Sequence, residues 1–355
     1  MLVRVTEQCH VKTLTPLWTG GIETGQVDRI HETGILGSLR WWYEAIVRGL
    51  GGMACDPSKG ECRFDTEQYA KSNATDECQR LRAAGLCDVC QVFGATGWRR
   101  RFRLMIVDET KPDTSVQSQI EANRSYTVNQ KQRTPSWYFP ANQNDKPRLG
   151  TLTLRIQSLA PDLNPAVIAG LIQFIADWGA IGARAQMGFG VIALENCIDT
   201  KPFYDRVVAT AGNAAYPCLP SLKNIFLARI SPKNGDTFSD QDTFNLKYDL
   251  RRLFAQDRQL RHFIMGTIQD QRIAAKVKMS RPYNNGQEMR VWGWIPEEAD
   301  VYQNHWDRNT VVDAIYQHLS NKYDLQVWRE MDSARDSVTP NNGDAKTFLR
   351  SLLGL

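Results

Sequence analysis

Five of the eight cysteines crowd into one stretch: Cys55, Cys62, Cys78, Cys87 and Cys90. Cys87-Asp88-Val89-Cys90 is a CxxC, and Cys55 with Cys62 forms a wider pair before it. Two cysteine pairs across a short insertion can close a tetrahedral thiolate site on zinc. The segment from Asp56 to Glu77 is polar and poor in core residues, so it needs a staple. The expected ligands are Cys55, Cys62, Cys87 and Cys90, with Cys78 as the substitute. Four thiolates leave no open position, so the role would be structural. A redox dithiol or free thiols are the competing readings. Cys9, Cys197 and Cys218 stand singly and read as small hydrophobes.

A second candidate is the glycine-rich basic loop Gly182-Ala183-Arg184-Ala185-Gln186-Met187-Gly188-Phe189-Gly190. Its glycines allow positive φ and remove side chains. Backbone amides could then approach a phosphodiester, with Arg184 and Gln186 as added donors. No Gly-Lys-Ser/Thr follows, so it is not a Walker loop. The G-x5-G-x-G spacing and the strand that follows exclude a dinucleotide fingerprint. A tight helix-to-strand turn is the bland alternative.

Net charge is +4, from 43 basic and 39 acidic residues, so any nucleic-acid surface must be local. Trp98-Arg99-Arg100-Arg101-Phe102-Arg103 packs four arginines and two aromatics into six positions, a composition suited to phosphates and bases. Two further basic stretches are Lys247, Arg251, Arg252, Arg258, Arg261, His262 and Lys276, Lys278, Arg281. Solvated surface elements would look similar. The five histidines are scattered and form no metal motif. No serine or cysteine nucleophile motif appears.

These groups need elements to position them. Hydrophobic residues reach 42%, ample for two cores in 355 residues. No apolar run approaches the roughly 20 residues that span a bilayer, and Met1–Glu7 carries charge without a leader-like core. A cytoplasmic protein with no membrane partner is expected, where metal is favoured over disulfide. Residues 3–14 alternate as a strand. Ile35, Leu39, Trp42, Ile46 and Leu50 mark an amphipathic helix to Gly49. Strands follow at 102–107 and 152–156, a helix at 166–178, and a strand at 191–194. The order β-α-β-β-α-β is the split βαβ, ferredoxin-like arrangement, used by RNA-recognition domains. After Asp199 a second domain of the same plan is expected: strands at 225–230, 276–279, 289–294 and 325–328, helices at 244–254 and 310–319. The fold class is α+β, with two tandem ferredoxin-like domains and a cysteine-rich insertion in the first.

A G-x5-G-F-G loop before the last strand of such a domain resembles the RAMP proteins of CRISPR systems. Thr15-Pro16-Leu17-Trp18-Thr19-Gly20-Gly21 resembles the family's TPL-x-TGG segment. Gly34-Ile35-Leu36-Gly37-Ser38-Leu39-Arg40-Trp41-Trp42-Tyr43 resembles its IKGALRWW helix start, with Leu36 where many relatives carry lysine. Val92-Phe93-Gly94-Ala95-Thr96 resembles its IFGS turn, and Met289-Arg290-Val291-Trp292-Gly293-Trp294 also fits. In this order the motifs are similar to the first-numbered RAMP subunits of type III-B (Cmr) effector complexes.

The resemblance implies a non-catalytic RNA-binding subunit in antiviral defence. It would contact guide crRNA near its 3′ end and the target RNA, beside other RAMP subunits. Residues 1–199 would form the first RAMP domain, with a zinc-binding insertion at about 53–92 and a thumb-like excursion at 108–150. Residues 200–355 would form the second. Arg40, Trp41, Arg99, Arg100, Arg101, Arg184, Gln186, Gly188 and Gly190 are then the RNA contacts. Tyr126, Trp137 and Tyr138 are the stacking or wedge residues. Asp28 resembles the catalytic aspartate of target-slicing RAMP subunits, with His31 and Glu32 near it. A metal-dependent endoribonuclease using Asp28 is the alternative; a local turn bond is the simpler reading. A third reading is a scaffold that touches no RNA.

Overall fold

The computed structural model describes residues 5–21, 27–116, 119–138, 146–268, 272–303, 305–338 and 343–355. Alternating residues of β1 (Thr6–Thr13) place Cys9, Val11 and Thr13 inward. Helix α1 (Glu32–Gly49) buries Ile35, Leu39, Trp42 and Ile46, the expected stripe. It starts three residues earlier than the apolar pattern, because Glu32 occupies its first turn and favours the positive end of the helix. The cysteine segment folds into three short helices, α2 (Thr66–Lys71), α3 (Glu77–Ala83) and α4 (Asp88–Phe93). Only α4 is buried throughout, and it packs on α1. Then come β2 (Phe102–Asp108), β3 (Thr151–Ser158), α5 (Ala166–Trp178) and β4 (Ile192–Leu194). The sheet runs β4-β1-β3-β2 with every pairing antiparallel.

Beyond it lie α6 (Lys201–Val208), β5 (Ile225–Ser231), α7 (Asp240–Leu253), α8 (Arg258–Met265), β6 (Val277–Met279), β7 (Met289–Trp294), α9 (Arg308–Lys322), β8 (Asp324–Glu330) and α10 (Ala345–Leu352). The second sheet runs β6-β7-β5-β8, again antiparallel. Counted in chain order, both sheets have their fourth strand beside the first, and the third between first and second. Helices α7 and α9 carry capping boxes, Ser239 with Asp242 and Asp307 with Thr310. In helix α8, Leu260 and Ile264 are buried while Arg258, Arg261 and His262 ride on its outside.

The hydrophobic cores divide differently from the expected boundary at 199/200. Phe203 and Val207 of α6, and Phe348, Leu349 and Leu352 of α10, belong to the first core. Phe203 fits against Gly170 of α5, where a Cβ would lie 2.6 Å from it. The Trp178 indole donates to the Leu352 carbonyl at 2.8 Å. A second core fills the space behind β5–β8, with Phe226 and Trp328 stacked at 4.9 Å.

The excursion is a ladder of short pairs, Lys111–Pro112 with Arg148–Leu149, Gln119–Glu121 with Ser136–Tyr138, and Tyr126–Val128 with Lys131–Arg133. It lies back on α7. Arg124 pairs with Asp249 at 2.7 Å, and the Asn123 amide donates to the Asn245 side chain at 2.7 Å. Ile120, Ala122 and Trp137 join Phe244 in a third small core.

Candidate nucleic-acid interface and cysteine cluster

Chain folding brings the two cysteine pairs together. The sulfurs of Cys55, Cys62, Cys87 and Cys90 all lie within 4.8 Å of one another, with Cys55 and Cys90 at 3.6 Å. A tetrahedral zinc with bonds of about 2.3 Å sets its sulfurs roughly 3.8 Å apart, so the group is near that size. The Cys87 amide donates to the Cys62 sulfur at 3.4 Å, and the Cys90 amide to the Cys87 sulfur at 3.5 Å. Hydrogen bonds from the neighbouring thiols Cys55 and Cys90 pull the Cys87 thiol down, while the bond to Cys87, with burial, pushes Cys55 up to about 12. Four thiols this close cannot all ionise unless a cation sits among them. Cys78 stands outside the group; its carbonyl accepts from the Gln91 side chain.

Arg40 serves this cluster. Its Nη2 donates to the Cys90 sulfur at 3.2 Å, its Nη1 to the Gly94 carbonyl at 3.2 Å, and its Nε to Glu44 at 2.8 Å. Glu44 is buried and also takes Arg48 at 3.3 Å, and Arg48 reaches the Cys55 carbonyl at 2.7 Å. The i, i+4, i+8 row on α1 is therefore an internal ion ladder beneath the cysteines. Arg40, expected as an RNA contact, thus gives three of its five N–H groups to protein acceptors.

The amides of the glycine loop are likewise engaged within the protein. Gly190 donates to the Pro16 carbonyl at 2.9 Å, Gly188 to Ala185 at 3.1 Å, Ala183 to Trp18 at 2.6 Å, and Gly182 to the Ser38 hydroxyl at 2.9 Å. Gly188 and Gly190 are buried, with φ of +90° and +91°. A Cβ at Gly190 would lie 2.0 Å from the Ile181 carbonyl, and one at Gly188 would lie 2.6 Å from the Arg281 amide nitrogen. These glycines serve chain packing and amides that are already paired, so neither offers an N–H to a phosphate. The loop instead joins the two halves: Arg281 donates to the Gly188 carbonyl at 2.9 Å, and Lys247 to the Gln186 carbonyl at 2.8 Å.

What the loop does present is Arg184, held in the left-handed region at φ +58°. Its guanidinium lies 3.3 Å from the centre of the Trp18 ring. Trp18 stacks on Phe189 at 6.0 Å, and Arg281 lies over Phe189 at 5.5 Å. Gln186 is partly exposed beside it. Nearby, Trp41 is partly exposed, edge-on to Trp42 at 4.8 Å, with the Lys278 ammonium 5.0 Å from its ring centre.

The arginine run splits. Arg101, expected as an RNA contact, is buried in ion pairs with Asp162 and Glu77 and lies over Trp98. Arg100 is partly buried, donating to the Phe102 carbonyl at 2.8 Å, and burial lowers its pKa. Arg99 and Arg103 are exposed. Trp137 packs on Phe244 at 4.9 Å with Lys247 over its ring, which accounts for it as packing rather than a free wedge. Tyr126 is exposed beside Tyr248 at 6.3 Å. Tyr138 ends a strand, and its side chain lies outside the described residues.

Asp28 accepts a 2.6 Å bond from His31, and that bond chiefly holds its carboxyl below the usual range. Glu32 is turned to Arg29. Among the described residues, the cysteines form the one group with the spacing of metal ligands. Lys278 was legible only as part of a basic stretch. The signal that would have singled it out, its place beside Trp41, arises only when the two halves meet.

No described helix is long and apolar enough to cross a membrane. No curated protein matches the chain. Among solved structures it is similar to Cmr1 from Pyrococcus furiosus, at 14% identity and TM-score 0.44, covering 89% of this chain and 97% of that one. It is also similar to a chain of the type III-B Cmr-beta assembly bound to cognate target RNA, at 11% identity and TM-score 0.45, covering 89% and 99%. A third likeness is to Cmr6 from Pyrococcus furiosus, at 14% identity and TM-score 0.30, covering 55% and 100%. The family model of the RAMP superfamily matches residues 10–193, more than half of the sequence, and the chain belongs to that superfamily.

Proposed function

We propose that this chain is a non-catalytic RNA-binding subunit of a type III-B CRISPR effector complex, which contacts guide crRNA near its 3′ end and the target RNA beside other RAMP subunits. The observation that carries the reading is the surface built by the family's own motifs. The TPL-x-TGG segment supplies Trp18, itself buried, the glycine loop lays the half-buried Arg184 over it, and the helix motif leaves Trp41 partly exposed. A guanidinium braced on a buried indole suits a phosphate, and a partly exposed indole suits a base. Arg99 and Arg103, before and on β2, are further exposed cations. We read the two sheets as tandem ferredoxin-like domains divided near residue 200, with α6 and α10 packed on the first. We read Cys55, Cys62, Cys87 and Cys90 as a structural zinc site.

Titrating a labelled guide-length RNA with the protein at several salt concentrations tests the RNA reading. Arg184→Ala should weaken binding and make the salt dependence shallower by about 0.7 in log–log slope for one phosphate contact to a single strand. No change in either would leave the chain a scaffold. In the reconstituted complex with matching target and Mg²⁺, Asp28→Ala should leave the cleavage pattern intact. Loss of one product with binding preserved would reverse the non-catalytic assignment.

A further inference from the structure

Between α6 and β5 the chain runs through residues 209–224 without helix or strand. A connection this long with no secondary structure is uncommon, and this one is tied down along its course. Its far end is moored on α1. The Leu222 amide donates to the Ala45 carbonyl at 2.8 Å, and Gly49 makes room for Leu222, whose Cβ would lie 2.3 Å from a Cβ there. Its near end is moored on residues 50–55, which lead from α1 to the first of the clustered cysteines. Gly212 and Ala214 donate to the Leu50 and Gly51 carbonyls at 3.1 and 3.0 Å. The Tyr216 hydroxyl accepts from the Ala54 amide at 2.9 Å and donates to the Gly52 carbonyl at 3.0 Å. Buried Arg48 reaches the Cys55 carbonyl at 2.7 Å and the Pro220 carbonyl at 3.2 Å.

Residues 50–55 have neither helix nor strand of their own. Their other side faces the CxxC. The Met53 amide donates to the Asp88 carboxylate at 2.9 Å, and the Asp88 amide returns a bond to the Met53 carbonyl at 2.9 Å. The Cys55 sulfur lies 3.6 Å from that of Cys90. A cation among the four sulfurs ties Cys55 to Cys87 and Cys90; without it, ionised thiols repel and neutral ones attract weakly. The end of the segment is then released, and the Gly52 carbonyl and Ala54 amide lose the spacing that one hydroxyl bridges. The strap also reaches the second half. The Glu297 amide donates to the Pro217 carbonyl at 2.8 Å, and the Ile295 amide to the Asn224 carbonyl at 2.9 Å.

We propose that the cysteine site is a metal-dependent clasp: a divalent cation on Cys55, Cys62, Cys87 and Cys90 holds residues 50–55 in the shape that grips Gly212–Tyr216, and so secures the strap to the second half. The proposal rests on the zinc reading and gives that site a task beyond stapling its own insertion. The two moorings make the effect local, because the Tyr216 end depends on the metal and the Leu222 end does not. Such a coupling is reciprocal, so the strap must also hold the metal.

The test uses the full chain, zinc-loaded and chelator-stripped, with hydrogen exchange read by mass spectrometry in peptides 209–217 and 218–224. Stripping should speed exchange at Gly212 and Ala214 on the order of tenfold, the equivalent of one or two hydrogen bonds, leave Leu222 unmoved, and be reversed by added zinc. Tyr216→Phe, which alters no ligand, should speed both that exchange and zinc release in the loaded protein by a similar factor. Gly212→Ala should do the same from a second point, since a Cβ there would lie 2.7 Å from the Gly51 carbonyl. If zinc is bound but its removal leaves Gly212 and Ala214 unmoved, and neither variant alters its release, the clasp falls and the structural metal stands. Exchange that rises equally in both peptides and in β1 and β5 would make the metal a support of the whole fold, which also overturns the clasp. A purified protein without zinc, whose exchange does not respond to added zinc, would bring down the metal reading and the clasp together.

Discussion

Replacing Arg40 with alanine separates two roles for one residue. The family motif nominates it for RNA, whereas the structure has it donating to Glu44, to the Gly94 carbonyl and to the Cys90 sulfur. Hydrogen bonds to charged partners contribute about 1.5–3 kcal/mol each, and those to neutral acceptors about 1. Glu44 keeps Arg48, so no buried carboxylate is orphaned. Arg40 is also 27% exposed at its side chain, which screens part of the interaction. A net loss of about 2–3 kcal/mol is expected, a fall in melting temperature of roughly 5 °C for a chain of this size. Because the sulfur contact supports a ligand from outside the coordination sphere, release of bound metal to a chelator should quicken on the order of tenfold. RNA affinity measured well below the melting temperature should stay within about twofold, since the lost donors face inward. Lysine is a poor replacement, because one ammonium cannot reproduce the fork that reaches three acceptors. A tenfold loss of RNA affinity with melting temperature and metal release unchanged would refute the reasoning and return Arg40 to the RNA face.

Metal analysis of the purified protein should find about one zinc per chain, lost in Cys55→Ser and Cys90→Ser and kept in Cys78→Ser, which tests the ligand set against its nearest substitute. Gly190→Ala should destabilise the fold by about 3 kcal/mol or more in urea unfolding, because a methyl there meets the Ile181 carbonyl at 2.0 Å in a left-handed backbone; a neutral result would reopen the loop as a flexible cradle. Burial pushes Lys247, Lys276 and Lys278 down from 10.5 to about 8. Between those values the folded state holds fewer protons than the unfolded state, so stability should rise as pH climbs from 8 toward 10.5 and be lost again as pH falls through 8. Urea midpoints across that window should show the rise, reduced in Lys278→Met.

The framework was legible because it repeats locally. Ile35, Leu39, Trp42 and Ile46 announce α1, alternation announces β1, β2 and β3, and the CxxC announces a site whose other half lies within the same insertion. Misreadings occurred where a residue's partner lies far along the chain. Gly188 looks like a phosphate residue until Arg281 is seen against it, and Gly190 until its amide is followed to Pro16. Arg101 has no acid adjacent in sequence, yet folding brings it to Asp162 and Glu77. Helices α6, α8 and α10 were passed over because each is eight residues long and only two or three apolar residues do the packing.

The placement of α6 and α10 has a mechanical consequence. Both helices lie on the first core, and the whole second sheet is strung between them. The second half is thus a loop of chain fastened at both ends, like a door hung on two pins. With a single connecting strand, free swivelling would be the ordinary expectation for two packed halves. With two, and with Ile225, Leu227 and Trp292 of the second sheet also in the first core, such swivelling is restrained. A single proteolytic cut between α6 and β5 would leave the halves associated through α10, and their separation would require both fastenings to fail.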